Sequence, residues 1–247
     1  MSRVGKRWGL GFGAVSAILV VAVLASDSAA LGPATGTVFA APYAGFGLTS
    51  TSVTTNGCAS FTKIVVKPHF SPSTGIGHAT SHASATACGS PHSFPVSELN
   101  LTFGLYGGNF TVNTTGIHRM IVKWSLTYLS NLSALPANTS QFALAESIVT
   151  VGAHVTDVTA GGSTVGVASW SNVTQVSHGY RNISAKNTVV TLSFHGRLTA
   201  RHVYFFTTFV SVEVFTLVNP PGLVTASGTV NMGSAGEQGR LIVMKVL

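Results

Sequence analysis

Apolar and polar side chains alternate along most of this chain with a period of two. Over 97–106, Leu99, Leu101, Phe103 and Leu105 fall on one side, while Glu98, Asn100, Thr102, Gly104 and Tyr106 fall on the other. A strand with one buried face gives that pattern, because successive side chains point to opposite sides. The same rule turns Met120, Val122, Trp124, Leu126 and Tyr128 inward and Arg119, Lys123, Ser125 and Thr127 outward. It predicts further strands at 143–155 (Ala143, Ala145, Val149, Val151 and Val155 inward), at 165–170, around Val190–Phe194, over Val224–Met232 and at Arg240–Val246. Residues 201–217 are apolar on both faces, with Val203, Phe205 and Phe209 on one and Tyr204, Phe206, Val210, Val212 and Val214 on the other. That reads as a central strand covered on both sides.

Turn signals separate these runs: Gly107-Gly108, Thr114-Thr115-Gly116, the segment 130–140 with Pro136, Gly161-Gly162-Ser163, Gly196-Arg197, Asn219-Pro220-Pro221-Gly222 and 233–239. Nine to eleven strands with short connections and no helical periodicity predict an all-β fold. The expected architecture is an antiparallel two-sheet sandwich of jelly-roll or Greek-key type, assigned to 94–247. Residues 31–93 are rich in Gly, Ser, Thr and Ala, and only Phe61–Val66 stands out there as a strand. They read as an extension pinned to the sandwich or a small module of their own.

The first 30 residues break the pattern. Arg3, Lys6 and Arg7 precede an apolar run, Ala14–Ala25, followed by Ser26, Ser28, Ala29 and Ala30. A cationic start, an apolar middle and small residues at the end make an export signal. The uncharged stretch Trp8–Ser26 would span roughly 28 Å as a helix, close to the thickness of a bilayer core. Two readings follow: removal after Ala25 or Ala30, or retention as an N-terminal membrane anchor. Both place the body outside the cytoplasm, either secreted or held at the cell membrane.

Composition adds to this picture. Beyond residue 30 there are ten Lys and Arg against five acids, Glu98, Glu146, Asp157, Glu213 and Glu237. The bases form no run, so the sequence offers no nucleic-acid partner. Seven of the eleven asparagines, Asn100, Asn109, Asn113, Asn131, Asn138, Asn172 and Asn182, begin Asn-x-Ser/Thr triplets. Ser and Thr make up 57 of 247 residues, so chance supplies fewer than half that number. The excess is read as glycosylation of an exported surface. Cys58 and Cys88, an even count in an exported chain, are read as a disulfide worth about 3–4 kcal/mol in the chain-entropy account.

Candidate chemistry is sparse. Hydrolase and phosphate-loop signatures are missing, and five acids leave few carboxylate pairs for glycoside hydrolysis. The reading is against an enzyme, and no cofactor is implied. Glu213, between Val212 and Val214, is the acid whose setting raises its pKa unless it pairs with a base such as Arg201. Asp157 with His154 is the one pair that would orient an imidazole. His78, His82 and His92, beside His69 and Cys88, are the weak candidates for a metal site, but on a strand His78 and His82 sit about 13 Å apart. Tyr106, Trp170 and Tyr180, each next to hydrogen-bonding residues or a loop, are candidate ligand-binding aromatics. The sequence thus points to an exported β-sandwich with a structural, adhesive or ligand-binding role. A carbohydrate-binding module is the alternative, and an extracellular hydrolase or metal-binding protein a second one. The expected partner is a surface glycan or protein. Few carboxylates also mean few ion pairs to lose in acid, which predicts nearly flat stability from neutral pH to about pH 3, apart from changes where histidines titrate at ~6.5.

Overall fold

The computed structural model describes residues 38–39, 43, 45–57, 60–87, 95–136, 141–219, 224–233 and 236–247. Residues 1–30, where an export signal is expected, together with Cys58, Cys88, His92, Asn138 and Pro220-Pro221-Gly222, lie outside the described residues. The chain forms β1 (Val38–Phe39), β2 (Phe46–Asn56), β3 (Ser60–Ser71), β4 (Ile76–Thr86), β5 (Val96–Phe110), β6 (Gly116–Leu135), β7 (Phe142–Asp157), β8 (Ser163–Val176), β9 (Gly179–Leu198), β10 (Tyr204–Asn219), β11 (Thr225–Met232) and β12 (Gln238–Val246). The all-β, two-sheet expectation holds. A five-stranded sheet runs β2-β5-β10-β7-β8, and a seven-stranded sheet runs β1-β12-β4-β11-β6-β9, with β3 beside β4 and β12 also paired to β6. Every pairing is antiparallel. Residues before 94 supply strands to both sheets: β2 edges the smaller, and β4 lies inside the larger.

The alternation read from the sequence sets the inner faces. Leu99, Leu101, Phe103 and Leu105 from one sheet meet Met120, Val122, Trp124 and Leu126 from the other, all 0% exposed. Their burial stabilises each by roughly 1.5–3 kcal/mol relative to exposure. Phe103 lies where side chains on Gly77 and Gly239 would otherwise stand, so glycine in β4 and β12 makes room for the ring. Trp124 donates its indole N–H to Thr208 Oγ1 at 2.8 Å, and Thr208 in turn donates to the Gly152 carbonyl at 2.9 Å. A buried Ser130–Ser147 hydroxyl pair at 2.6 Å joins the sheets beyond them. A second cluster then continues with Ala85, Ala134, Ala143, Ala145 and Ala226 around Leu132 and Val218.

Several connections expected from the sequence are strand instead. Gly107-Gly108 is no turn. Thr208 faces Leu105 while Phe206 faces Gly108, so one extra residue of β5 is taken up in a bulge. The strand continues because its far end still pairs with β10, and Gly108 packs under Phe39 and Met244. β6 runs on to Leu135 through the expected loop, β8 is 14 residues long, and β9 extends past Gly196 to Leu198. Partner strands supply the pairing that local composition did not announce. β10 is central in its sheet, but its outer side chains Phe205, Phe209, Phe215 and Leu217 are only half-buried, so one face is open rather than covered.

Candidate functional site: the open face of the five-stranded sheet

Register turns the outer face of this sheet into a grid. One rung reads Ser50, Thr102, Ser211, Thr150 and Ser171 across β2, β5, β10, β7 and β8, a hydroxyl on every strand. The Thr150 and Ser171 hydroxyls bond at 2.9 Å. The next rung reads Ser52, Asn100, Glu213, Ile148 and Val173, and the one after it Thr54, Glu98, Phe215, Glu146 and Gln175. On the other side of the hydroxyl rung, Phe209 lies between Gly104 and Gly152. Its ring fills the space a side chain on Gly152 would take. Farther along, Tyr106 stacks on Phe205 with centroids 5.7 Å apart and planes 19° apart, and Phe46, 69% exposed, pairs with Tyr106 from β2. Thr207 sits between Phe205 and Phe209 along β10, 1% exposed, with an Oγ1 that has no hydrogen-bond partner among the described residues.

Hydrogen bonds fix the polar centre. Ser211 Oγ donates to Asn100 Oδ1 at 2.6 Å and Thr102 Oγ1 to the same oxygen at 3.3 Å, which sets the amide so that Nδ2 donates to Glu213 Oε2 at 2.9 Å. Burial, with Glu98 and Glu146 adding like charge, pushes the Glu213 carboxyl above its ordinary range despite the Asn100 bond. Burial alone does the same to Glu146, and burial lowers the His154 imidazole. Glu213 takes no partner in Arg201, which sits exposed in the β9–β10 turn with φ 67°. Among the described residues, none of the five strands of this face carries a Lys or Arg.

The candidates named from sequence disperse. Tyr106 belongs to the open face. Trp170 is opposite Val151 and packs against the core, and Tyr180, 74% exposed, stands on β9 in the other sheet. Asp157 does not orient His154. Residues three apart on a strand face opposite ways, and Asp157 instead accepts from His202 Nδ1 at 2.8 Å and from the Ala160 amide at 3.0 Å. Burial would raise the Asp157 carboxyl, but these two bonds outweigh it and hold the group below its ordinary value. His78 and His82 lie on one side of β4, as a strand requires, with His82 Nδ1 bonded to Thr229 Oγ1 at 2.8 Å. Among the described residues no three His, Cys, Asp or Glu side chains are grouped to hold a metal. Asn109, Asn113, Asn131 and Asn182 are exposed. The amide nitrogens of Asn100 and Asn172 are engaged, the latter with Tyr128 Oη at 2.7 Å. The hydroxyl rung was missed in the sequence because alternation gives each strand's face but not the register between strands.

No family model matches the chain, and no curated protein does. Among solved structures, it aligns with a family 11 carbohydrate-binding module from Clostridium thermocellum in complex with a β-1,3-1,4-mixed-linked tetrasaccharide. The identity is 10%, over 74% of this chain and 96% of that one, with a TM-score of 0.19. It also aligns with the membrane-inserted form of the Clostridium perfringens NetB toxin, at 11% identity over 80% and 96% of the two chains and a TM-score of 0.14. At these scores neither likeness carries an argument.

Proposed function

We propose that this is an extracytoplasmic glycan-binding protein whose ligand lies across the open face of the five-stranded sheet. The observation that carries this reading is the five-hydroxyl rung flanked by aromatic rings on one side and by Asn100 and Glu213 on the other. A sugar has apolar C–H faces and a ring of hydroxyls. Tyr106, Phe205 and Phe209 offer surface to the first. Serine and threonine hydroxyls, an amide and a carboxylate offer both donors and acceptors to the second. The absence of cations on the face favours a neutral glycan. Calorimetry against neutral polysaccharides tests it: Tyr106→Ala and Phe205→Ala are expected to weaken binding at least tenfold each, about 1.4 kcal/mol. Retention of full affinity in both variants overturns the assignment.

A structural or adhesive role has one observation of its own. β2 carries eleven residues with no charge and no proline, and among the described residues it pairs with β5 alone. Such an edge accepts a further strand. Sedimentation would show self-association reduced by Ser52→Lys if a second copy pairs there, and unchanged if it does not.

A further inference from the structure

The bases that look scattered in the sequence are gathered by the fold. Nine of the ten Lys and Arg beyond residue 30 lie on strands of the seven-stranded sheet, and six of them fall into line on its outer face where β12, β6 and β9 run side by side. Arg197 faces Ile117, and Arg119 begins the next outer rung. Lys245 faces Ile121, and Lys123 follows. Arg240 faces Ser125, and Lys186 stands at the bulge of β9 beside Thr127. Six successive outer rungs at β6 positions 117 to 127 thus each hold one cation, in turn on β9, β6, β12, β6, β12 and β9. The rungs are about 6.8 Å apart along β6, so the cations form a staggered band about 34 Å long and about 10 Å wide. All six are exposed or partly exposed.

The far end of the line enters a groove. A cavity of about 460 Å³ is lined by Ser125, Thr127, Asn187, Gln238 and Arg240, among others. A neighbouring cavity of about 300 Å³ shares Thr127 and Asn187 and adds Lys186 together with one acid, Glu237, whose Oε2 accepts from Asn231 Nδ2 at 2.6 Å. Asn187 holds a left-handed backbone, φ 48°, and its amide donates to Thr127 Oγ1 at 3.0 Å, so the bulge that opens the groove is itself fastened.

We infer that this face binds a linear acidic polysaccharide, one bearing uronate or sulfate groups, laid along β6 with its charges against the cation line and its hydroxyls in the groove. Evenly spaced single charges suit a polymer with evenly spaced anions. The amides and hydroxyls between Arg240 and Lys186 suit its sugars. Single-stranded nucleic acid is disfavoured, since the six rungs carry no Phe, Tyr or Trp and a single imidazole, His195 opposite Arg119, as a ring on which a base could stack. The surface is independent of the open face of the smaller sheet, whose described strands carry no Lys or Arg.

The test is binding of the full chain to polygalacturonate at low salt, with neutral dextran, single-stranded DNA and anionic phosphatidylglycerol vesicles as comparisons. Polygalacturonate is expected to bind, with affinity falling steeply as salt rises. The variant Lys123→Gln/Arg240→Gln/Lys245→Gln is expected to lose about thirtyfold. A second variant, Arg119→Gln/Arg197→Gln, gives a smaller loss and serves if the first folds poorly. Tyr106→Ala is expected to leave this affinity unchanged, so failure here is separate from failure of the neutral-glycan reading. The inference is overturned if polygalacturonate does not bind, if both variants bind as the parent does, or if DNA or vesicles bind more tightly than polygalacturonate.

Discussion

The open face of the smaller sheet has titrating groups with opposite effects on stability. Glu213 and Glu146 are raised above an ordinary value of 4.5 by burial, joined at Glu213 by neighbouring carboxylates. The folded chain therefore takes up their protons first, and stability rises as pH falls through the folded values. His154, lowered by burial, and His82, lowered by burial and by Lys63, lie below 6.5. For these the unfolded chain takes up protons first, so stability present above about pH 6.5 is lost as pH falls. Asp157, held below 3.8, adds stability that persists until pH falls through its folded value. Chemical denaturation across pH should show a shallow dip below pH 6.5, recovery toward pH 4.5 and a decline below pH 3.8. His154→Gln should flatten the dip. Glu213→Gln keeps an acceptor for Asn100 and removes the charge. It should stabilise the protein by roughly half a kcal/mol at pH 7, since partial exposure screens the group, with no gain at pH 3.5. A destabilised Glu213→Gln at pH 7 would mean that the ionised form is favoured by the fold.

At the scale of strands, two glycines under aromatic rings should behave differently. A methyl on Gly77 overlaps the Phe103 ring, which is fully buried and also touches the Gly239 position. The ring has nowhere to go, so Gly77→Ala should cost about 2–3 kcal/mol in urea unfolding. A methyl on Gly152 overlaps Phe209, which is half-exposed and can swing toward solvent. Gly152→Ala should cost about 1 kcal/mol yet weaken neutral-glycan binding. Trp124→Phe, which leaves the buried Thr208 Oγ1 without its indole donor, should cost about 2 kcal/mol. Alternation made the inward residues of β5, β6, β7 and β11 legible beforehand, because burial of one face imposes it directly. The bulge at Gly107-Gly108 and the length of β9 were not legible, since both depend on what the partner strand needs. The apolar outer face of β10 was legible as composition but misread as burial. Its phenyl rings are instead the floor and walls of an open surface.

At the scale of the whole molecule, the two sheets divide the charge. Glu98, Glu146 and Glu213 stand on the outer face of one, while the cation line runs along the other. Neither assembly could be read from the chain alone. Its members are tens of residues apart and meet only through register. Glu98, Glu146, Asp157 and Glu213 carry no ion pair with a Lys or Arg among the described residues, so moderate acid removes few native attractions and salt should shift binding far more than stability. Raising salt from 20 to 500 mM is expected to move the unfolding midpoint by less than about 3 °C while it weakens polygalacturonate binding by more than tenfold. A salt-dependent collapse of stability would place the charges in the fold's energetics rather than in recognition.

Because its positive and negative ends lie on opposite broad sides, the protein is a permanent electric dipole directed across its thickness. Near an anionic wall it will turn before it touches, bringing one broad side down and leaving the aromatic side turned outward. That alignment acts only within about one Debye length, near 10 Å at 0.1 M salt. A single chain arriving this way would stand as an oriented coupler between two different surfaces.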